Sequence, residues 1–169
     1  MVTGEINNIL RPIVDEATKV LIVGSMPSAK SLEKQQYYGN PRNHFWAIMG
    51  AILEVEIPEK YEKRLTLLKH HHIGLWDSIA SCERQGSLDT AIRNEKPNDF
   101  QTFFQQYPQI ELVLFNGTKA YDVFKRRIGF DILADRVYEK MPSTSPIPGK
   151  NIKSFEQKVE DWRLLCTYL

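Results

Sequence analysis

Little in this chain is present in excess. With 22 basic and 21 acidic residues among 169, it lacks the global positive field that marks many tight nucleic-acid binders. Any polyanion must therefore be met by a local patch. Cysteine is scarce: Cys82 and Cys166 stand far apart, match no metal-ligand spacing and are too few for a disulfide framework, so they read as reduced thiols. No stretch approaches the ~18 apolar residues of a membrane span. The opening MVTGEINNILRPIV lacks a basic flank followed by an apolar run, so the chain reads as unprocessed and cytoplasmic. Repeats and low-complexity tracts are missing, and proline and glycine are scattered. At this length one core, and so one domain over residues 1–169, is the expectation.

What is there alternates. VLIVG (20–24) and ELVLFNG (111–117) are short continuous apolar runs that suit strands buried on both faces, and IGLWDSI (73–79) reads as another. HFWAIMGAILEV and EKYEKRLTLLKHHHI carry apolar residues at helical spacing, with Pro58 between them. NDFQTFFQQYP reads as an Asn/Asp-capped helix, TKAYDVFKRRI as a helix directly after a strand, and SFEQKVEDWRLLCTYL as a Ser-capped final helix. A last strand is expected around Ala134–Tyr138. Strands alternating with helices predict an α/β layered domain with a mainly parallel sheet. Ligands of such sheets sit beyond the carboxyl ends of the strands. There the sequence places GSMPSAKSL, DSIASCERQGSLD, NGTKAY and MPSTSP, all rich in small polar residues.

One stretch combines features that neither a core nor an ordinary loop requires: YYGNPRNHFWAIMG, residues 37–50, sets aromatic rings among amides. GSMPSAKSLEKQQYYGNPRNHFW (24–46), GLWDSIASCERQGSLD (74–89), FNGTKA (115–120) and MPSTSP (141–146) together resemble the uracil-DNA glycosylase superfamily, closest to its hypoxanthine (deoxyinosine) branch. The resemblance implies a three-layer α/β/α fold, no metal or cofactor, and hydrolysis of the bond between a deaminated base and deoxyribose. The partner it implies is double- or single-stranded DNA containing such a base, approached by a monomer. Chemistry on a base requires flipping it from the stack into a pocket that reads its edge.

By the same resemblance Tyr38 supplies the face on which the base stacks; packing on the sheet edge is the alternative. Asn43 is the catalytic candidate, orienting water and stabilising a sugar cation through its carbonyl dipole, against the alternative of a turn asparagine bonded to its own backbone. Asn40 is the weaker candidate. Met26 stands where most of the superfamily keeps the water-positioning Asn or Asp, a departure shared with the hypoxanthine branch. Asp77 falls where the base edge is read, and a carboxylate accepting from N1–H separates hypoxanthine from adenine; a cap or turn role fits it equally. Asn116 either donates to O6 or holds a water, or it caps the next helix. The backbone amides of Ser25 and Met26 are expected to meet the base.

MPSTSP resembles the loop that enters the minor groove, offering Ser143, Thr144 and Ser145 to phosphates. Met141 replaces a histidine common in relatives and is read as an apolar wedge into the stack. Ser28, Arg42 and Lys119, with Lys30 and Lys140, complete the expected DNA-binding patch. His70, His71 and His72 imitate a metal site, but consecutive helix residues point to different faces, and a surface cluster is expected. The leading function is a monofunctional glycosylase releasing hypoxanthine. Its rivals are an enzyme for uracil or several deaminated bases, and a non-catalytic nucleic-acid-binding domain of the same fold.

Overall fold

A computed structural model describes residues 4–146 and 152–169. Its strands are β1 (Glu5–Asn7), β2 (Val20–Gly24), β3 (Ile73–Asp77), β4 (Ile79–Glu83), β5 (Arg93–Pro97), β6 (Leu112–Asn116) and β7 (Val137–Met141). The helices are α1 (Ala29–Lys34), α2 (Phe45–Leu53), α3 (Tyr61–His70), α4 (Phe100–Gln106), α5 (Thr118–Val123) and α6 (Phe155–Trp162). Four strands form a parallel sheet in the order β3-β2-β6-β7.

The apolar runs explain the layers, because successive strand residues face opposite sides. Val20, Ile22, Leu112 and Leu114 face a core with Phe45, Ile48, Leu68 and Trp162 from α2, α3 and α6. Leu21, Val23, Val113 and Phe115 face the other way, onto Phe100, Phe103 and Phe104 of α4 and Phe124 after α5. Helices thus cover both faces, and the expected three-layer α/β/α arrangement is present.

Two features depart from the sequence reading. The last strand begins at Val137 rather than near Ala134, which has φ +54° in the turn before it. A second sheet, antiparallel in the order β1-β4-β5, was not expected at all. It adjoins the first at a single residue: β3 ends at Asp77 and β4 begins at Ile79. Ser78 fixes that corner, donating its N–H to the Gly24 carbonyl at 2.7 Å and its hydroxyl to the Ala120 carbonyl at 2.9 Å. Met26, Ile79, Cys82, Ile92 and Val123 form a small core there. No helix among the described residues is long and apolar enough to cross a membrane.

Candidate active site

Gly24 pairs level with Asp77, and Asn116 with Met141. The parallel strands therefore finish as a row, and a cleft of about 1240 Å³ opens against all four terminal residues. Its walls include Ser25 and Met26 after β2, the Tyr37–Asn43 stretch, Asp89, and the Pro142–Pro146 loop.

Asp77 is the buried carboxylate of this cleft, only 4 % exposed. Asn8 Nδ2 donates to its Oδ2 at 3.0 Å and also to the Ile79 carbonyl, while Asn8 Oδ1 accepts from Leu10 N–H, so the amide is pinned in one orientation. Burial pushes the Asp77 carboxyl up to about 7 and the nearby Asp89 adds to this, with the Asn8 hydrogen bond opposing. The other oxygen, Oδ1, lies against Gly24: a Cβ at that glycine would sit 2.5 Å from it and 3.5 Å from the Tyr38 hydroxyl. Only a glycine lets the carboxylate occupy this place.

Tyr38 lines the cleft with its ring stacked on Phe45, centroids 4.0 Å apart and planes 15° from parallel. Phe45 in turn meets Trp46 edge-on at 4.9 Å, and both are buried, so the Phe-Trp pair backs the aromatic wall. Burial, then the neighbouring Asp77 charge, holds the Tyr38 phenol well above its usual range. Tyr38 has φ +54°, a conformation unfavourable to a bulky side chain, and its hydroxyl accepts from Asn116 Nδ2 at 3.2 Å.

Asn116 is neither free to donate to O6 nor a helix cap. Its second amide hydrogen goes to Thr144 Oγ1 at 3.0 Å and its Oδ1 accepts from Thr144 N–H at 2.9 Å. With both N–H bonds engaged it has no donor left for a base, and α5 is preceded by Gly117 without a side-chain cap. Asn116 is a brace between strand end and loop.

Thr144 is correspondingly buried, 1 % exposed, and its carbonyl accepts from His44 N–H at 2.9 Å. That removes it from the expected phosphate contacts and makes it the loop's anchor. Met141 is also buried, packed into the α2/α6 core, so it is not a wedge free to enter a base stack. Ser28 caps α1, its Oγ accepting from Ser31 N–H at 3.1 Å, which explains that serine locally. Lys119 and Lys30 lie outside the cleft lining, whereas Arg42 and Lys140 border it. Ser143 and Ser145 remain on the cleft, with Ser143 Oγ accepting from Ser145 N–H at 3.1 Å.

Asn43 lies on the cleft beside Asn40 and Arg42, and its Oδ1 accepts from Phe45 N–H at 2.9 Å, securing the first turn of α2. The turn role weighed for it is therefore present. The amide Nδ2 makes no hydrogen bond to a described residue, so one polar end remains for the cleft. The Met26 side chain sits in the core beneath the small sheet while the residue borders the cleft. Ser25 Oγ donates to Asp89 Oδ1 at 2.7 Å. Burial raises the Asp89 carboxyl, opposed by Ser25 and by the charges of Arg84 and Lys119.

Sequence reasoning did not assign Asn8 or Asp89. Asn8 belongs to an N-terminal segment with no motif of its own. Asp89 stands in a quoted segment, but only the fold shows that it returns to Ser25. His70, His71 and His72 are remote from the cleft lining, and no group of three or more His, Cys, Asp or Glu among the described residues could hold a metal ion.

Fold and cleft define the class: an α/β/α domain with an aromatic wall and a buried carboxylate lining one cleft at the carboxyl edge of a parallel sheet. The Uracil DNA glycosylase superfamily matches residues 12–166, and the chain belongs to this superfamily of DNA glycosylases. A Hypoxanthine DNA glycosylase of Methanosarcina acetivorans is 39 % identical over 153 residues, covering 89 % of this chain and 91 % of its own. A second Hypoxanthine DNA glycosylase, from Methanosarcina barkeri, is 41 % identical over 123 residues, covering 71 % and 78 % respectively. The NMR solution structure of a Methanosarcina acetivorans protein, described as a candidate uracil DNA glycosylase, superposes with a TM-score of 0.74 at 36 % identity. The match covers 98 % of this chain and 99 % of that one.

Proposed function

We propose that this DNA glycosylase excises hypoxanthine from deoxyinosine in DNA, acting as a monofunctional monomer in base excision repair. The observation that carries the reading is Asp77, a buried carboxylate whose Oδ1 borders the cleft beside Tyr38. Hypoxanthine presents N1–H where adenine presents a bare N1. An ionised Asp77 accepts from the first and opposes the second, leaving an unpaired buried charge against adenine. The names of the two Methanosarcina relatives support the same substrate.

On this reading the flipped base enters between the Tyr37–Asn43 wall and the strand ends. The N9–C1′ electron pair leaves with the base, a water oxygen bonds to C1′, and one water proton ends on the released base. Asn43 stands at the wall as the group that orients the water. Ser25 and the backbone after β2 contact the base, and Arg42, Ser143 and Ser145 meet the DNA backbone. Duplexes carrying a single deoxyinosine or deoxyuridine, incubated with the protein and then treated with alkali, test it. Scission at deoxyinosine is expected; preferential scission at deoxyuridine moves the substrate to uracil, and no scission at either overturns the reading.

A further inference from the structure

Lys158 is a titratable side chain of the cleft for which the reading above has no use. It lies on α6, lines the cleft and is only 5 % exposed, yet its ammonium has no hydrogen-bond or ion-pair partner among the described residues. The neighbouring acids do not supply one. Asp161 also lines the cleft, but it pairs with Lys153, and Glu160 pairs with Arg163. The stem is covered while the ammonium reaches the cleft, and partial burial holds Lys158 below the usual lysine range. Its position says where a counter-charge would arrive. Residues four apart share a helix face, and Trp162, one turn on, donates its indole N–H to the Pro142 carbonyl at 3.1 Å. Lys158 thus lies on the face of α6 that meets the Pro142–Pro146 loop, whose Ser143 and Ser145 also border the cleft.

We propose that Lys158 is a cleft-facing clamp for one backbone phosphate of the DNA beside the flipped nucleotide, acting together with the Ser143–Ser145 loop. The inference rests on the glycosylase reading for its ligand, and it assigns a role to a residue outside the family-like motifs. A phosphate supplies the missing charge, and at an ammonium partly withdrawn from water the pair is stronger than at a fully exposed lysine. Lysine suits it as a compact point charge with rotatable donors.

The test is binding to a duplex that carries a tetrahydrofuran abasic analogue, read across a salt series, with single phosphates replaced in turn by neutral methylphosphonates. Lys158→Met is expected to fold, since an apolar side chain of similar length keeps the packing of the covered stem. It should weaken binding about ten-fold at low salt and reduce the slope of log K against log salt by about 0.9, the value for one phosphate. One methylphosphonate should weaken the parent protein about as much and leave K158M unaffected, the signature of a coupled pair. Should K158M fail to fold, Lys158→Gln replaces it in the same titration. An unchanged salt slope, or a methylphosphonate that affects parent and variant equally, overturns the clamp. Because the probe has no base, DNA bound with this coupling but no base released from deoxyinosine sinks the glycosylase reading alone; base released without the coupling sinks only the clamp.

Discussion

The phenol oxygen of Tyr38 accepts a hydrogen bond from the amide of Asn116, 78 residues further along the chain. Through the same amide the wall is joined to Thr144, so aromatic face, central strand and the Pro142–Pro146 loop form one unit. Removing the brace strands Thr144 N–H in the interior, and an unsatisfied buried donor costs about 1–3 kcal/mol. Asn116→Ala should lower stability by about 2–3 kcal/mol in urea unfolding and reduce base release further than the stability loss explains. Tyr38→Phe, which keeps the ring and loses only the acceptor, should lose about 1 kcal/mol.

Asp77 makes stability depend on pH. Its folded carboxyl titrates near 7 against an ordinary value of 3.8, so the folded protein holds a proton that the unfolded chain releases. Its contribution is therefore favourable at low pH and lost as pH rises from about 4 through 7, with burial of the charged form fully felt above that. The loss is on the order of 4 kcal/mol at most. Asp77→Asn should raise Tm at pH 8 and change it little at pH 4. In the parent, kcat/KM for deoxyinosine should rise with an inflection near 7 as the acceptor ionises, and the inflection should vanish in the variant along with much of the preference for hypoxanthine.

Gly24 gives Asp77 its room. A methyl group there would meet Oδ1 at 2.5 Å, and forcing a side chain aside in a packed site costs about 1–3 kcal/mol. Gly24→Ala should lower kcat/KM at least ten-fold through displacement of the carboxylate. It should also move the pH inflection, read from the same rate profile. A variant with unchanged rate and inflection would detach Asp77 from base reading.

Asn43 has a local role, and a proposed chemical one that substitutions can separate from it. Asn43→Ala removes the oxygen that accepts from Phe45 N–H and should lose about 1 kcal/mol, as capping side chains do. Asn43→Ser keeps an accepting oxygen for the turn but not the carboxamide. Both should abolish base release while binding abasic DNA nearly as the parent does. Activity retained in the serine variant would leave Asn43 a structural residue only.

The central sheet was legible because β2 and β6 are buried along their whole lengths, and burial on both faces writes an unbroken apolar run. α4 and α6 were legible from their caps: Asp99 and Ser154 accept from Thr102 and Gln157 backbone N–H as their sequence positions suggested. The small sheet was not. β1 is largely exposed and three residues long, and β5, reading RNEKP, has one buried residue, so neither carries a periodic signal. The site divided along the same line. Residues at strand ends could be placed on the cleft from the run that precedes them, whereas hydrogen-bond partners could not. Asn116 and Thr144 looked like ligand contacts because small polar residues on a loop read alike whether they face a ligand or each other. Asn8 and Lys158 became visible only once the chain's two ends were seen to close around the strand ends.

The corner at Ser78 has a bearing on how this scaffold can diversify. Position 77 is the last residue of one sheet, a single residue before the other begins, and its backbone carbonyl is held by Asn98 as well. Such a position has almost no translational freedom, so the cleft meets at residue 77 a fixed address whose occupant can change but whose location cannot. A new substrate on this frame would come from exchanging the side chain at 77 together with the residue at 24 that makes space for it, a two-site substitution rather than a loop insertion.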